Sequence, residues 1–216
     1  MSRNASLNDV RNIYCVGRNY AQHAAELGNA VPQSPMFFSK PTHSLVPADG
    51  RTIWLPGGRG DIHHELEWVA YIGGEHTPGG DPAGAVTAFA LGLDLTLRDV
   101  QDGLKAKGHP WLAAKGFRHS APITPFVPMT DAVWADLADK PFALLKNGSL
   151  VQEGRLSGMI FGLQRLLDDC AEQFGLSAGD LLFTGTPHGV GKVEDGDRLE
   201  LLWDGRSLGS CELRLI

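Results

Sequence analysis

The chain has 216 residues, 43% hydrophobic and 20% charged, with 27 Gly and 13 Pro, a composition that fits one strand- and turn-rich globular domain and excludes a disordered or coiled-coil chain. A formal charge of −6, with no basic run, leaves no footprint for a phosphate backbone, so no nucleic-acid partner is expected. Three cysteines, Cys15, Cys170 and Cys211, cannot all pair within the chain and lack metal-type spacing; they read as buried thiols of a reducing, cytoplasmic compartment.

Met1 to Arg11 is polar, with no signal-peptide core, and nowhere do about 18 apolar residues run together, so no membrane partner is expected. Ile13 to Val16 reads as a short strand, and Asn19 to Leu27 as a short helix ending at Gly28, with His23 and Glu26 on one face. Met36-Phe37-Phe38 reads as a second strand. Pro41 to Gly60 is dense in Pro and Gly and reads as an ordered irregular loop. His64 to Ile72 alternates as a strand carrying Glu65 and Glu67 on one face, and Ala85 to Asp94 is an apolar run that suits a buried strand or a short helix leading into one. Arg98 to Lys107 reads as a helix with Thr96 and Asp99 in a capping-box relation. Asn147-Gly148 and Asp204-Gly205 each separate two apolar runs and predict hairpins. Between them, Met159 to Phe174 has helical spacing and ends at Gly175. The whole reads as one β-rich α+β domain over residues 1–216, without tandem repeats or a linker.

Two carboxylates about 7 Å apart on a strand face repel by about 2 kcal/mol at an effective dielectric near 20. A solvated face is the ordinary explanation of an isolated Glu-x-Glu. Here Trp68, Val69, Tyr71 and Ile72 flank the pair, and Asp94 lies in an apolar run where a lone charge is costly. Glu65, Glu67 and Asp94 are therefore a candidate oxygen-only site for a hard ion, Mg²⁺ or Mn²⁺, with Ca²⁺ also compatible. His64 is expected to be structural or to support that site, since no His-Glu-x-x-His spacing follows. His23 and Glu26, at i and i+3, have the composition of a carboxylate-oriented general base, although an exposed helix pair has the same spacing. Thr184 to Lys192 departs from the phosphate-loop template at Val193 and in its glycine spacing. No Gly-x-Ser-x-Gly elbow is present, which removes the usual acyl-enzyme chemistry.

Six segments then fall in one order: Val16-Gly17-Arg18-Asn19-Tyr20-Ala21 with His23 and Glu26; Phe38-Ser39-Lys40-Pro41; His63-His64-Glu65-Leu66-Glu67; Leu93-Asp94-Leu95-Thr96 with Arg98-Asp99-Val100-Gln101; Ala114-Lys115-Gly116-Phe117; and Thr184-Gly185-Thr186-Pro187. In these the chain resembles the fumarylacetoacetate hydrolase superfamily, in particular its short acylpyruvate hydrolase branch, nearly end to end. The resemblance implies a rolled mixed β-sheet with short peripheral helices, a homodimer, and Mg²⁺ or Mn²⁺ on Glu65, Glu67 and Asp94. It assigns His23 and Glu26, in a lid segment within residues 13–30, to water activation, Lys115 to a substrate-facing catalytic role, and Arg18, Gln101 and Thr186 to substrate contacts. The implied substrate is an α-keto acid. Hydrolysis of acylpyruvates such as fumarylpyruvate or acetylpyruvate, as in aromatic-acid catabolism, is the first expectation. Decarboxylation or tautomerisation of oxaloacetate at the same metal-enolate site is the rival.

Overall fold

The computed structural model describes residues 5–21 and 32–216. Its first strands in chain order are β1 (Ile13–Gly17), β2 (Met36–Lys40), β3 (Leu45–Pro47), β4 (Asp49–Leu55), β5 (Ile62–His64), β6 (Leu66–Ile72), β7 (Val86–Leu93) and β8 (Thr96–Leu97). They are followed by β9 (Ala121–Ile123), β10 (Val127–Pro128), β11 (Phe142–Lys146), β12 (Ser149–Gly154), β13 (Leu181–Phe183), β14 (Gly191–Lys192), β15 (Arg198–Trp203) and β16 (Arg206–Leu215). Short helices described among them are α1 (Pro82–Ala85), α2 (Arg98–Ala106), α3 (Leu112–Lys115), α4 (Asp131–Asp136) and α5 (Leu163–Phe174).

The largest sheet runs β2-β1-β13-β6-β7-β9-β3, with β10 added alongside β7. It is mixed, because β1 pairs with β13 and β3 with β9 in parallel while its other pairs are antiparallel. It curls into the half-barrel of a β-rich α+β fold, and a second sheet, β12-β11-β15-β16-β4, packs with it. Strand β6 is buried at every position. Leu66, Trp68, Ala70 and Ile72 enter one core, and Val69 and Tyr71 enter another on the opposite face. Covering both faces is what lets so apolar a strand persist, each large buried side chain contributing about 2 kcal/mol. Trp68 stacks on Phe89, and Phe89 meets Trp203 at 4.9 Å between ring centroids, which ties the two sheets together.

Both predicted hairpins form. Asn147 and Gly148 have φ of 52° and 81°, Asp204 and Gly205 50° and 74°, the left-handed pairs that match hairpin twist. Other expectations are corrected. Pro41 to Gly60 is not a loop: it holds β3 and β4, both in parallel pairings with distant strands, β9 and β16. In β4 only Ile53 and Leu55 are buried, so the apolar alternation that would reveal it is missing. The strand read from His64 to Ile72 breaks at Glu65, and β5 and β6 belong to different sheets. Thr96 does not cap α2. Its hydroxyl donates to the Asp94 carbonyl, and Leu97 holds the cap position without a side-chain bond. Helix α5 begins at Leu163, four residues later than its apolar spacing suggests, because Met159 is bridged to Tyr20. It ends at Gly175, φ 78°, as expected. Asn19 and Tyr20 are not helical, and most of the predicted Asn19–Leu27 helix, with the His23 and Glu26 pair, lies outside the described residues.

Candidate metal and substrate site

Breaking the strand at Glu65 creates the site. On one continuous strand Glu65 and Glu67 would stand about 7 Å apart. With Glu65 in the gap between β5 and β6, one oxygen from each of Glu65, Glu67 and Asp94 lies within 4.8 Å of the others, and all three residues are buried. Asp94 follows the end of β7, tied back by its own N–H to the Glu65 carbonyl at 2.8 Å. Glu67 is aimed by the Gly185 N–H, which donates to its Oε2 at 2.7 Å. Gly185 has φ +98°, and a Cβ there would come 2.7 Å from the Cβ of Asn19, so the loop after β13 needs glycine at this point.

Two buried lysines and a partly buried arginine answer Glu65 and Asp94. Lys115, last residue of α3, donates to Glu65 Oε2 at 2.7 Å and Asp94 Oδ2 at 2.5 Å. Arg98, first residue of α2, pairs with Glu65 Oε1, and Lys40 Nζ stands 2.7 Å from Asp94 Oδ1. Lys40 also donates to the carbonyls of Lys115, Leu95 and Ser120, which fastens α3 and the Asp94 loop to β2. Burial pushes the Glu67 carboxyl well above its ordinary range, and Asp94 and Glu65 push it further. Burial pulls the Lys115 ammonium down, but Asp94 and Glu65 outweigh it and carry it up to about 12. Negative charge is thus in excess around Glu67, and the donors are all carboxylate oxygens. The set fits a hard divalent cation.

The cavity over this cluster is tight, about 30 Å³ in volume. Arg18, Gln101, Lys115 and Thr186 all line it, as do Arg98, Lys105, Trp111 and Phe38. The structure thus brings Arg18, Glu65, Glu67, Asp94, Gln101, Lys115 and Thr186 to one pocket. Arg18 holds φ 59°, a left-handed conformation uncommon outside glycine, between β1 and the buried Asn19. Asn19 fixes that turn by donating to the carbonyls of Thr184 and Phe161 and accepting from the Phe161 N–H. Gln101 accepts from Arg98 at 2.7 Å.

Five supporting residues were missed. Lys40 and Arg98 sat inside the quoted motifs with no role assigned, and a lysine or arginine next to a buried acid was the available signal. Lys105 and Trp111 gave no signal beyond helical spacing. Gln152 could not have been found at all. From β12 it accepts from the Leu66 N–H and His64 Nδ1 and donates to the Thr186 hydroxyl, joining the second sheet to the pocket. His64 is accordingly structural, and burial holds its imidazole pKa below the usual range.

The family model described as fumarylacetoacetate (FAA) hydrolase C-terminal matches residues 12–216. The chain belongs to the fumarylacetoacetate hydrolase family. Within it, the chain is 41% identical over 201 residues to the mitochondrial oxaloacetate tautomerase FAHD1 of Rattus norvegicus, covering 90% of this chain and 88% of the relative. It is 37% identical over 206 residues to the oxaloacetate tautomerase YcgM of Escherichia coli, covering 92% and 91%. The crystal structure of fumarylpyruvate hydrolase from Pseudomonas aeruginosa with Mn²⁺ and pyruvate superimposes with a TM-score of 0.88 at 34% identity, covering 96% and 91%. That Mn²⁺ complex agrees with a divalent-cation site on the buried acidic trio of this family member. Among the described residues no helix is long and apolar enough to cross a membrane.

Proposed function

We propose that the protein interconverts the enol and keto forms of oxaloacetate, using Mg²⁺ or Mn²⁺ held by Glu65, Glu67 and Asp94. The charge pattern of the pocket carries the reading. The inner acids and the inner cations Lys40, Arg98 and Lys115 are equal in number, while Arg18 and Lys105 line the same pocket. A divalent cation on the acids would leave the pocket positive, which suits a dicarboxylate keto acid better than the uncharged tail of acetylpyruvate; fumarylpyruvate shares that charge, so the choice of oxaloacetate rests on the relatives as well. The names of the FAHD1 and YcgM relatives support the same substrate, and so reverse the order of the two activities expected from sequence.

When bound, the cation supplies Lewis-acid polarisation of the 2-oxo oxygen. Lys115 donates an N–H toward that oxygen and stabilises the enolate charge. Ketonisation removes the enol O–H proton and adds one at the neighbouring carbon. His23, oriented by Glu26, is the proposed proton carrier, while Gln101, Arg18 and Thr186 hold the substrate. Acylpyruvate hydrolysis is the second reading, favoured by the likeness to fumarylpyruvate hydrolase. It needs the same enolate plus a water attacking the distal carbonyl. Decarboxylation of oxaloacetate would use that enolate with loss of CO₂. A homodimer is proposed on the family resemblance, and a cytoplasmic setting on three free, buried thiols.

The test is one panel with Mg²⁺ and with Mn²⁺: decay of enol-oxaloacetate absorbance, CO₂ release from oxaloacetate, and pyruvate release from acetylpyruvate and fumarylpyruvate. Tautomerisation should have the highest kcat/KM. Efficient acylpyruvate cleavage with no acceleration of enol decay would sink the proposal.

A further inference from the structure

Arg98, Gln101 and Lys105 stand at i, i+3 and i+7 of α2, one stripe on one helix face. All three line the pocket. Arg98 holds Glu65 at the inner end, Gln101 follows one turn on, and Lys105 lies about 10 Å from Arg98 along the axis at about 1.5 Å per residue. Side chains on a helix lean toward its N-terminus, so the lysine arm shortens that gap.

An aromatic wall runs beside this stripe. The Lys115 ammonium lies 5.1 Å over the Phe38 ring, Phe38 meets Trp111 at 5.8 Å, and the Lys105 ammonium lies 5.8 Å over Trp111. A cation thus stands at each end. Lys115 is buried against Glu65 and Asp94. Lys105 has a side chain only 26% exposed, yet among the described residues the one carboxylate in ion-pair range is Asp102, 3.4 Å away and 62% exposed. Burial draws the Lys105 ammonium below its usual range against the pull of Asp102, and nearby Arg98 and Arg18 add to the lowering. A half-buried cation facing a pocket beside a second cation is a place for an anion.

We propose that Lys105, seated on Trp111, is the specificity residue that selects substrates with a second carboxylate, receiving the distal carboxylate while the pyruvoyl head occupies the inner cluster. This rests on the oxaloacetate reading of the pocket. The competing role is purely structural: a lysine in the last turn of α2 that pairs with Asp102 and offsets the helix dipole.

Lys105→Met keeps length and contact with Trp111 but removes the charge. Enol-oxaloacetate and its monoanionic isostere 2-oxosuccinamate, in which an uncharged carboxamide replaces the distal carboxylate, serve as the substrate pair. The variant should lose about tenfold or more in kcat/KM for oxaloacetate, mostly through KM, and under about threefold for the amide, while Lys105→Arg keeps most of the discrimination. Binding of unreactive 2-hydroxy acids to the Mg²⁺-loaded protein, followed by tryptophan fluorescence, gives a second readout: L-malate should weaken by a similar factor and L-lactate should not. Equal losses for both members of each pair, or a lowered Tm with discrimination intact, would overturn the proposal. A wild-type protein inactive on oxaloacetate would instead refute the tautomerase reading, and the malate and lactate pair would still decide the role of Lys105.

Discussion

The two main sheets solve different problems. In the five-stranded sheet, β11–β12 and β15–β16 are hairpins between neighbours in sequence, closed by Asn147-Gly148 and Asp204-Gly205. Its polar work is local support: Asp197 accepts from Asn147 Nδ2 and from the Glu194 N–H and pairs with Lys146. The curled sheet is held by pairings far apart in sequence, β1 with β13 and β13 with β6, and its strand ends deliver Glu65, Glu67 and Asp94 to one point. The first sheet contributes stability, whereas the second contributes a cluster of like charges that is costly without its counter-ions. Gln152 crosses the division, since it sits on β12 and bonds Thr186 and His64.

Substitution should separate the sheets. Asp94→Asn removes a ligand and leaves Lys40 and Lys115 short of a partner, so metal affinity should collapse and turnover fall by about 10³-fold or more; activity surviving in EDTA-treated wild type would break the metal assignment outright. His23→Ala should cut kcat by about 10²-fold while Mn²⁺ affinity, measured by calorimetry, stays within about twofold; wild-type turnover in this variant would remove His23 from the chemistry. Gln152→Leu tests the exception. It strips partners from the Leu66 N–H, His64 and Thr186, and should cost about 1–3 kcal/mol of stability and raise KM, whereas an unchanged KM would make the sheets fully independent.

The smallest effect belongs to Asp197. Burial acts to raise its pKa, but the Glu194 N–H, Asn147 and Lys146 win and hold it below 3.8. A depressed carboxylate adds stability above its unfolded pKa and loses it as pH falls through the folded value. Asp197→Asn should therefore lower Tm at pH 7 by an amount worth about 1 kcal/mol, with the gap to wild type closing below pH 3.8 and kcat unchanged. A gap constant with pH would mean that the charge of Asp197 contributes nothing.

The sequence by itself determined what depends on neighbours: both hairpin turns, the apolar runs that became β1, β2, β6 and β7, the glycine stop of α5, and the ordered motifs whose described acids, lysine and polar residues do line one pocket. Tertiary structure decided the rest, because it turned on long-range pairing. β3 and β4 exist only through β9 and β16. Glu65 left its expected strand because β5 joined another sheet, which drew the carboxylates closer than a strand spacing allows. Lys40 and Gln152 acquired roles only when distant segments closed around them, since the worth of a polar side chain in a pocket is set by partners that no local pattern encodes.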